Sequence, residues 1–374
     1  MSTVFTEIRI NIHTIEFSYN RVSETDHEKL MDTLKPAKQN RTNAEVKIFK
    51  GYSQFKGIRY QYVLINKHGF QNRVLKVIVN PMNVLNKQDL LIEDLDLFLK
   101  RYNFFMIQEF SLQTLSYEMF SRVDYYIDFE FEPIIKEILL RIYKKAPSNY
   151  KGLRKTDKYK SSVYYNSKSR QVNIYSRYQK IVNKLLEDTY SNPSVVDVKT
   201  EVESFVSQKD KNTIRFEVQI KRKKIMYYLK KEGICPELIN YWNYRDAAYF
   251  ISDILKPIIQ NGNYYNSYHS RRVLMEYYGN KKFVDRIIRF QNYLSNYGYD
   301  KAKVQFKNYN KYIRYLAEAG VNPYLIPYNT GITYTKNPIK FLSSSIEAYR
   351  IPAQEWTGLI NVSNGTNKPA DNIE

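Results

Sequence analysis

The chain is poor in the residues that build covalent or preformed metal frameworks. Among its 374 residues there is one cysteine, Cys235, which excludes an internal disulfide and any cysteine-rich zinc site and fits a reducing, cytoplasmic setting. The four histidines, His13, His27, His68 and His269, are scattered, and no His-x-His pair exists. No uninterrupted apolar run approaches the roughly 20 residues that a membrane span needs. The opening, MSTVFTEIRI, lacks the basic start and apolar stretch of a signal peptide. Acidic residues are also outnumbered: 58 Lys and Arg stand against 38 Asp and Glu, a formal charge of +20. That excess points to a polyanionic partner, most simply nucleic acid, although charge alone would also suit an anionic membrane surface.

What the chain has in quantity is aromatic. Its 36 tyrosines and 19 phenylalanines lie among basic residues, the mixture expected where single-stranded bases stack on rings and phosphates meet cations. An AT-rich coding sequence would give the same bias. The length is enough for two or three domains.

Residues 1–85 hold strand-like pieces (FTEIRINIHTIEF, EVKIFKG, IRYQYVLI, RVLKVIVNP) separated by polar turns, which predicts a β-rich N-terminal region over 1–110. QDLLIEDLDLFLKRYN, 88–103, follows as an amphipathic helix with Leu91, Leu95 and Leu99 on one stripe. In RVDYYIDFEF, 122–131, the apolar positions Val123, Tyr125, Ile127, Phe129 and Phe131 alternate with Asp124, Tyr126, Asp128 and Glu130. Three carboxylates therefore project from one strand face. They repel one another unless a cation or nearby Lys and Arg compensates them. IIKEILLRIY, 134–143, has helical period.

Between Arg141 and Lys184 lie thirteen basic residues, among them Lys155, Lys168, Arg170 and Arg177, and one acidic residue, Asp157. Within this segment SSVYYNSKSRQVNIYSR reads as a hairpin turning at Asn166 to Arg170, with Val163, Tyr165, Val172 and Ile174 as its apolar positions. A hairpin flanked by cations suits a DNA backbone, because phosphate contacts hold register without reading sequence. Residues 188–211 read as a loop.

TIRFEVQIK, 213–221, alternates again, burying Ile214, Phe216, Val218 and Ile220 and setting Arg215, Glu217 and Gln219 on the other face. Alone, Glu217 is most simply a surface residue; beside a second acidic strand it becomes a candidate ligand for a hard divalent cation. A basic helix pattern follows directly, with Ile225 and Leu229 at i and i+4 and Gly233 as its stop. Tyr228 shares a helix edge with Lys224 and Lys231. Two ammonium groups beside a phenol favour its ionised form and attract phosphate. Tyr227 is the competing phenol if the helix is rotated by about 100°.

IMYYLKK, 225–231, resembles the tyrosine motif of rolling-circle replication initiators, and RVDYYID, SVYYNSKSRQVNIYSR and TIRFEVQIK resemble, in that order, successive strands of plasmid and filamentous-phage initiators. Together these segments cover about 110 residues. The resemblance implies an α+β fold, an antiparallel sheet of HUH type with helices packed on one face. It further implies a DNA nicking–closing endonuclease: Tyr228 attacks an origin phosphodiester in single-stranded or extruded DNA, leaving a 5′-phosphotyrosyl link and a free 3′-OH primer. With no His-x-His pair, Glu217, Asp124 and Asp128 are the ligands it implies for Mg²⁺ or Mn²⁺, and Lys231 would favour phenolate or screen phosphate. A host helicase and a second copy of the chain are the further partners it brings in. A non-catalytic origin or operator binder is the competing reading; a tyrosine recombinase would need Arg and His clustered around its tyrosine.

These readings set a catalytic core over 111–235. PELINYWNYRDAAYFISDILKPII, 236–260, predicts one helix, and two more fall between 281 and 319 around Gly298. A helical DNA-binding region over 236–335, of helix-turn-helix or winged form, would contact DNA through Asn310, Lys311, Arg314 and, from the core, Lys224. A pair of helices that only braces the sheet fits equally. Residues 336–374 are expected to form a flexible tail.

Overall fold

The computed structural model describes residues 10–342 apart from 21, 37–45, 68–69, 88–89, 111–118, 151, 157–161, 191–205 and 243. The chain begins with β1 (Ile10–Tyr19), α1 (Glu24–Thr33), β2 (Lys35–Pro36), β3 (Val46–Tyr52), β4 (Ile58–Lys67) and β5 (Phe70–Val79). Then come α2 (Pro81–Leu85), α3 (Asp94–Phe110), β6 (Met119–Glu130), α4 (Pro133–Lys144), β7 (Asn149–Tyr150), β8 (Leu153–Thr156), β9 (Ser162–Asn166) and β10 (Arg170–Ser176). α5 (Arg177–Tyr190) and α6 (Gln208–Asn212) precede β11 (Thr213–Lys221) and α7 (Arg222–Glu232). The remainder is helical: α8 (Ile239–Trp242), α9 (Tyr244–Ile259), α10 (Ser267–Tyr278), α11 (Lys281–Tyr297), α12 (Tyr299–Gln305) and α13 (Tyr309–Glu318), tied by the short pair β12 (Tyr264–Tyr265) and β13 (Tyr334–Thr335).

The fold is α+β around one eleven-stranded sheet in the order β2-β3-β4-β5-β1-β6-β11-β10-β9-β8-β7, with antiparallel pairing throughout. The chain winds the same way twice. A first strand (β1, then β6) is followed by a helix (α1, then α4), a set of hairpins, and a last strand (β5, then β11) that returns beside the first. The two first strands pair with each other at the centre.

Strand alternation decides which face is buried. Val123, Tyr125, Ile127 and Phe129 of β6 and Ile214, Phe216, Val218 and Ile220 of β11 lie inside, as do Val172 and Ile174 of β10. Each such side chain contributes about 1.5–3 kcal/mol by leaving water. Against this face pack α7, through Ile225 and Tyr228, and α9, through Phe250, Ile251 and Ile254. The buried apolar residues of sheet and C-terminal helices form one continuous core.

Several expected boundaries shift. The sheet runs unbroken from the 10–110 region into 111–235, because β1 pairs with β6. The helix expected over 88–103 spans Asp94–Phe110. The segment 236–260 holds two helices rather than one, and 281–319 holds three, since Gly298 at φ +85° turns the backbone between α11 and α12. The loop expected over 188–211 is narrower, with α5 reaching Tyr190 and α6 starting at Gln208; residues 191–205 and the expected tail beyond 342 lie outside the described residues. No helix among the described residues is long and apolar enough to cross a membrane.

Candidate active site on the polar sheet face

The face opposite the core carries the polar half of each alternation. Asp124 faces Gln219 across β6 and β11, Tyr126 faces Glu217, and Asp128 faces Arg215. On the other side of β11, Glu217 faces Asn173 and Arg215 faces Tyr175. The expected strand faces of Asp124, Asp128 and Glu217 are therefore observed, and pairing places them in adjacent rows.

Guanidinium groups answer most of the like-charge problem. Arg215 grips Asp128 bidentately, Nε and Nη2 each at 2.7 Å, and Arg177 adds a third bond at 3.0 Å. Burial works against the charge on Arg215, but the Asp128 bonds hold it firmly protonated, and its guanidinium lies 3.9 Å from the Tyr126 ring centre. Arg122 holds Asp124, with Nε at 2.8 Å, and Gln219 Nε2 donates to the same carboxylate at 3.2 Å. Asp128 is thereby committed to two arginines, and it does not line the hollow that lies beside Glu217.

Glu217 has different company. The Tyr175 hydroxyl donates a hydrogen bond to its Oε1. Lys180, from the first turns of α5, places its ammonium 2.8 Å from the Tyr175 oxygen, 3.4 Å from Glu217 Oε1 and 4.3 Å from the phenol ring centre. Burial, then the neighbouring Glu217 charge, holds the Tyr175 phenol well above its ordinary pKa, so at neutral pH it is a proton donor to Glu217. Neither Tyr175 nor Lys180 stands out in the sequence as a site residue. The available signal was phase: Tyr175 continues Gln171 and Asn173 on the polar side of β10.

Beside Glu217 a hollow of about 40 Å³ is walled by His13, Asp124, Gln171, Asn173, Glu217, Val218 and Gln219. His13 reaches it from a β-bulge in β1, where the register to β6 slips between Ile12 and Thr14. The residue is exposed at one edge. Desolvation of the ring nonetheless lowers its pKa, opposed by Glu217 and Asp124. Asn173 Oδ1 is buried here without a hydrogen-bond partner. A neutral imidazole, two carboxylate groups and a spare amide oxygen are donors that a divalent cation accepts. Among the described residues, however, no three His, Cys, Asp or Glu side chains gather closely enough to hold an ion by themselves, so the hollow is an open half-site.

The tyrosines of α7 lie elsewhere. Tyr228 is wholly buried, 4.6 Å ring to ring from Phe250, and Phe250 in turn packs on Tyr125. Since Tyr125 projects from the core face of β6, Tyr228 is on the opposite side of the sheet from Asp124, Asp128 and Glu217. Its hydroxyl donates to Asp253 at 3.2 Å, and Lys224 is bonded to the same carboxylate at 3.0 Å. Burial and then Asp253 raise its pKa, the reverse of the ionised phenol expected from two neighbouring lysines. The expected convergence of Tyr228 with the three carboxylates does not form in this fold. Tyr227 is 44% exposed, with Lys224 4.3 Å and Lys231 5.5 Å from its ring centre. A cavity of about 300 Å³ between Tyr150, Asp253, Lys256, Tyr299 and Tyr309 is not walled by any of the polar-face carboxylates.

The expected DNA-contacting cations divide in two. Lys168, Lys311 and Arg314 are exposed, and so is Asn310. Arg170 is buried, Lys155 donates to the Lys144 carbonyl at 2.7 Å at the end of α4, and Arg177 and Lys224 are held by Asp128, Asp210 and Asp253. These four are anchored by the fold before any partner arrives.

No protein-family model and no curated protein sequence matches the chain. One solved structure that resembles it is a rolling circle replication initiator protein from Geobacillus stearothermophilus, at 9% sequence identity over 67% of this chain and 85% of that one, with a TM-score of 0.27. A likeness of that size carries no argument, and the functional reading rests on the polar face itself.

Proposed function

We propose that the chain is an initiator of rolling-circle type that nicks and rejoins DNA, with Tyr175 as the nucleophile. The observation that carries this reading is the three-way contact of a phenol, a carboxylate and an ammonium on a polar sheet face. Nucleophilic catalysis by a hydroxyl needs an adjacent base and a group that stabilises the developing anion. In this reading the Tyr175 oxygen attacks phosphorus as its proton passes to Glu217. The new O–P bond forms, the P–O3′ bond breaks, and the departing 3′ oxygen takes up the proton. The resulting 5′-phosphotyrosyl ester keeps the bond energy, so the reverse step rejoins the strand without a co-reactant. Lys180 steadies phenolate and phosphate charge, and Arg215, fixed by Asp128, adds a second cation beside Tyr175.

A Mg²⁺ or Mn²⁺ ion at the hollow would be held by the Asn173 amide oxygen and no more than two of Glu217, Asp124 and His13, and would supply neutralisation of the scissile phosphate oxygens. The chain's own residues orient the phenol and move its proton. The +20 charge and the exposed Lys168, Lys311 and Arg314 suit an extended DNA partner.

The test is to incubate the full chain with supercoiled plasmid carrying the origin, plus Mn²⁺, and to look for nicked circles bearing covalently attached protein. Tyr175→Phe is expected to abolish attachment, and Glu217→Gln to slow it about 10²–10⁴-fold, whereas Tyr228→Phe leaves attachment in place. Attachment that survives in Tyr175→Phe and disappears in Tyr228→Phe would return the chemistry to α7. Specific origin binding without attachment by the unaltered chain would make it a non-catalytic binder.

A further inference from the structure

His13 has two sides. One faces the hollow beside Glu217; the other helps to wall a separate cavity of about 300 Å³ on the N-terminal half of the same sheet. That cavity is floored by Ile78, which stands opposite Arg59 across β4 and β5, and rimmed by Tyr52, Arg59, Asn80 and Asn83. Tyr52 and Arg59 face each other directly across β3 and β4. Tyr52 is 84% exposed, so its ring adds almost nothing to the core.

We infer that this cavity is a base-binding subsite of a single-stranded DNA substrate, holding a nucleobase next to the phosphate that reacts. The inference rests on the nicking reading above and extends it to the substrate. The chemistry matches in each part. An open phenol ring offers a stacking surface, which every base accepts. A guanidinium directly across from it meets a backbone phosphate. The floor is apolar, and the amides of Asn80 and Asn83 present both donors and acceptors at the rim, as the edge of an unpaired base requires. Asn80 is already oriented, since its side chain accepts from the Asn83 backbone N–H at 3.2 Å to cap α2. A duplex cannot use such a subsite, because its bases are stacked on one another. Because His13 is common to both spaces, a strand whose phosphate sits beside Glu217 passes a neighbouring nucleotide over this cavity.

The experiment uses the full chain carrying Tyr175→Phe, so that strands stay intact, with a fluorescein-labelled 20-nucleotide oligothymidylate and the same strand bearing 5-iododeoxyuridine. Anisotropy is expected to show affinity falling roughly tenfold in Tyr52→Ala and holding in Tyr52→Trp. Irradiation should place a cross-link on Tyr52. Since Tyr52 is exposed, Tyr52→Ala should keep the parent's thermal midpoint, which separates lost stacking from lost folding. Equal affinity of the Ala variant, or cross-links confined to other tyrosines, would overturn the subsite. Covalent attachment through Tyr175 in the otherwise unaltered chain, combined with an unaffected Tyr52→Ala, would remove the subsite alone; absence of any strand binding would remove the nicking reading as well.

Discussion

Two buried phenols in this protein make the same bond and have opposite prospects. Tyr228 donates to Asp253 and Tyr175 to Glu217, and burial raises the pKa of both. What separates them is the third group and the surroundings. Tyr228 is packed among aromatic rings on the core side of the sheet and reaches an exposed Asp253 that Lys224 already pairs, whereas Glu217 and Lys180 meet Tyr175 on the polar side, beside Asp124 and His13. Tyr228→Phe should therefore cost only the net worth of one hydrogen bond, about 0.5–1.5 kcal/mol, because Lys224 still pairs Asp253. A denaturant midpoint for this variant, read together with covalent attachment to DNA, checks both halves of the statement. At this scale the faces of Asp124, Asp128 and Glu217 were legible, since strand phase is a local property. Their partners were not: Arg177 lies 49 residues from Asp128 along the chain, and only folding brings them together.

At the scale of elements, patterns carried by regular backbone were readable and patterns broken by it were not. The hairpin of β9 and β10, the helices α4 and α7 and the stop at Gly233 follow from apolar spacing and a residue at φ +69°. The bulge that aims His13 at Glu217 has no such signature, because it depends on where β6 pairs. The turn between β3 and β4 is a comparable device. Gly57 sits there at φ +90°, and a Cβ on it would come within 2.6 Å of Asn83 Cβ and 3.1 Å of the Asn80 carbonyl. Gly57→Ala combines a disfavoured backbone with a clash and is expected to destabilise by about 1–3 kcal/mol. Because Asn80 and Asn83 would be pushed, thermal denaturation and single-strand affinity should fall together in this variant.

Across the whole molecule, one tyrosine-rich core ties sheet to helices, and that gives stability a defined response to alkali. Burial is the main influence pushing the Tyr62 phenol up to about 12, and likewise that of Tyr278. A phenol whose pKa is raised by folding keeps its proton in the native state where the unfolded chain has lost it, so stability falls as pH rises. The loss begins at the unfolded phenol value near 10 and runs through the folded value near 12. Tyr62 is fully buried and its loss is on the order of 2 kcal/mol, so denaturation midpoints should fall through that window while stability holds at lower pH. Denaturation midpoints between pH 9 and 12, compared with tyrosinate absorbance, measure it; phenols that titrate freely before unfolding would contradict it.

By itself the sequence determined a basic chain suited to a polyanion, a set of amphipathic strands, and the faces on which their carboxylates stand, because charge and periodicity are carried within each segment. The tertiary structure alone decided that the chain winds the same way twice into one sheet, that Tyr175 rather than Tyr228 shares a face with Glu217, and that His13 stands between two adjoining spaces. Those outcomes depend on which strand pairs with which and in what register, and strand pairing joins residues that are tens to more than a hundred positions apart.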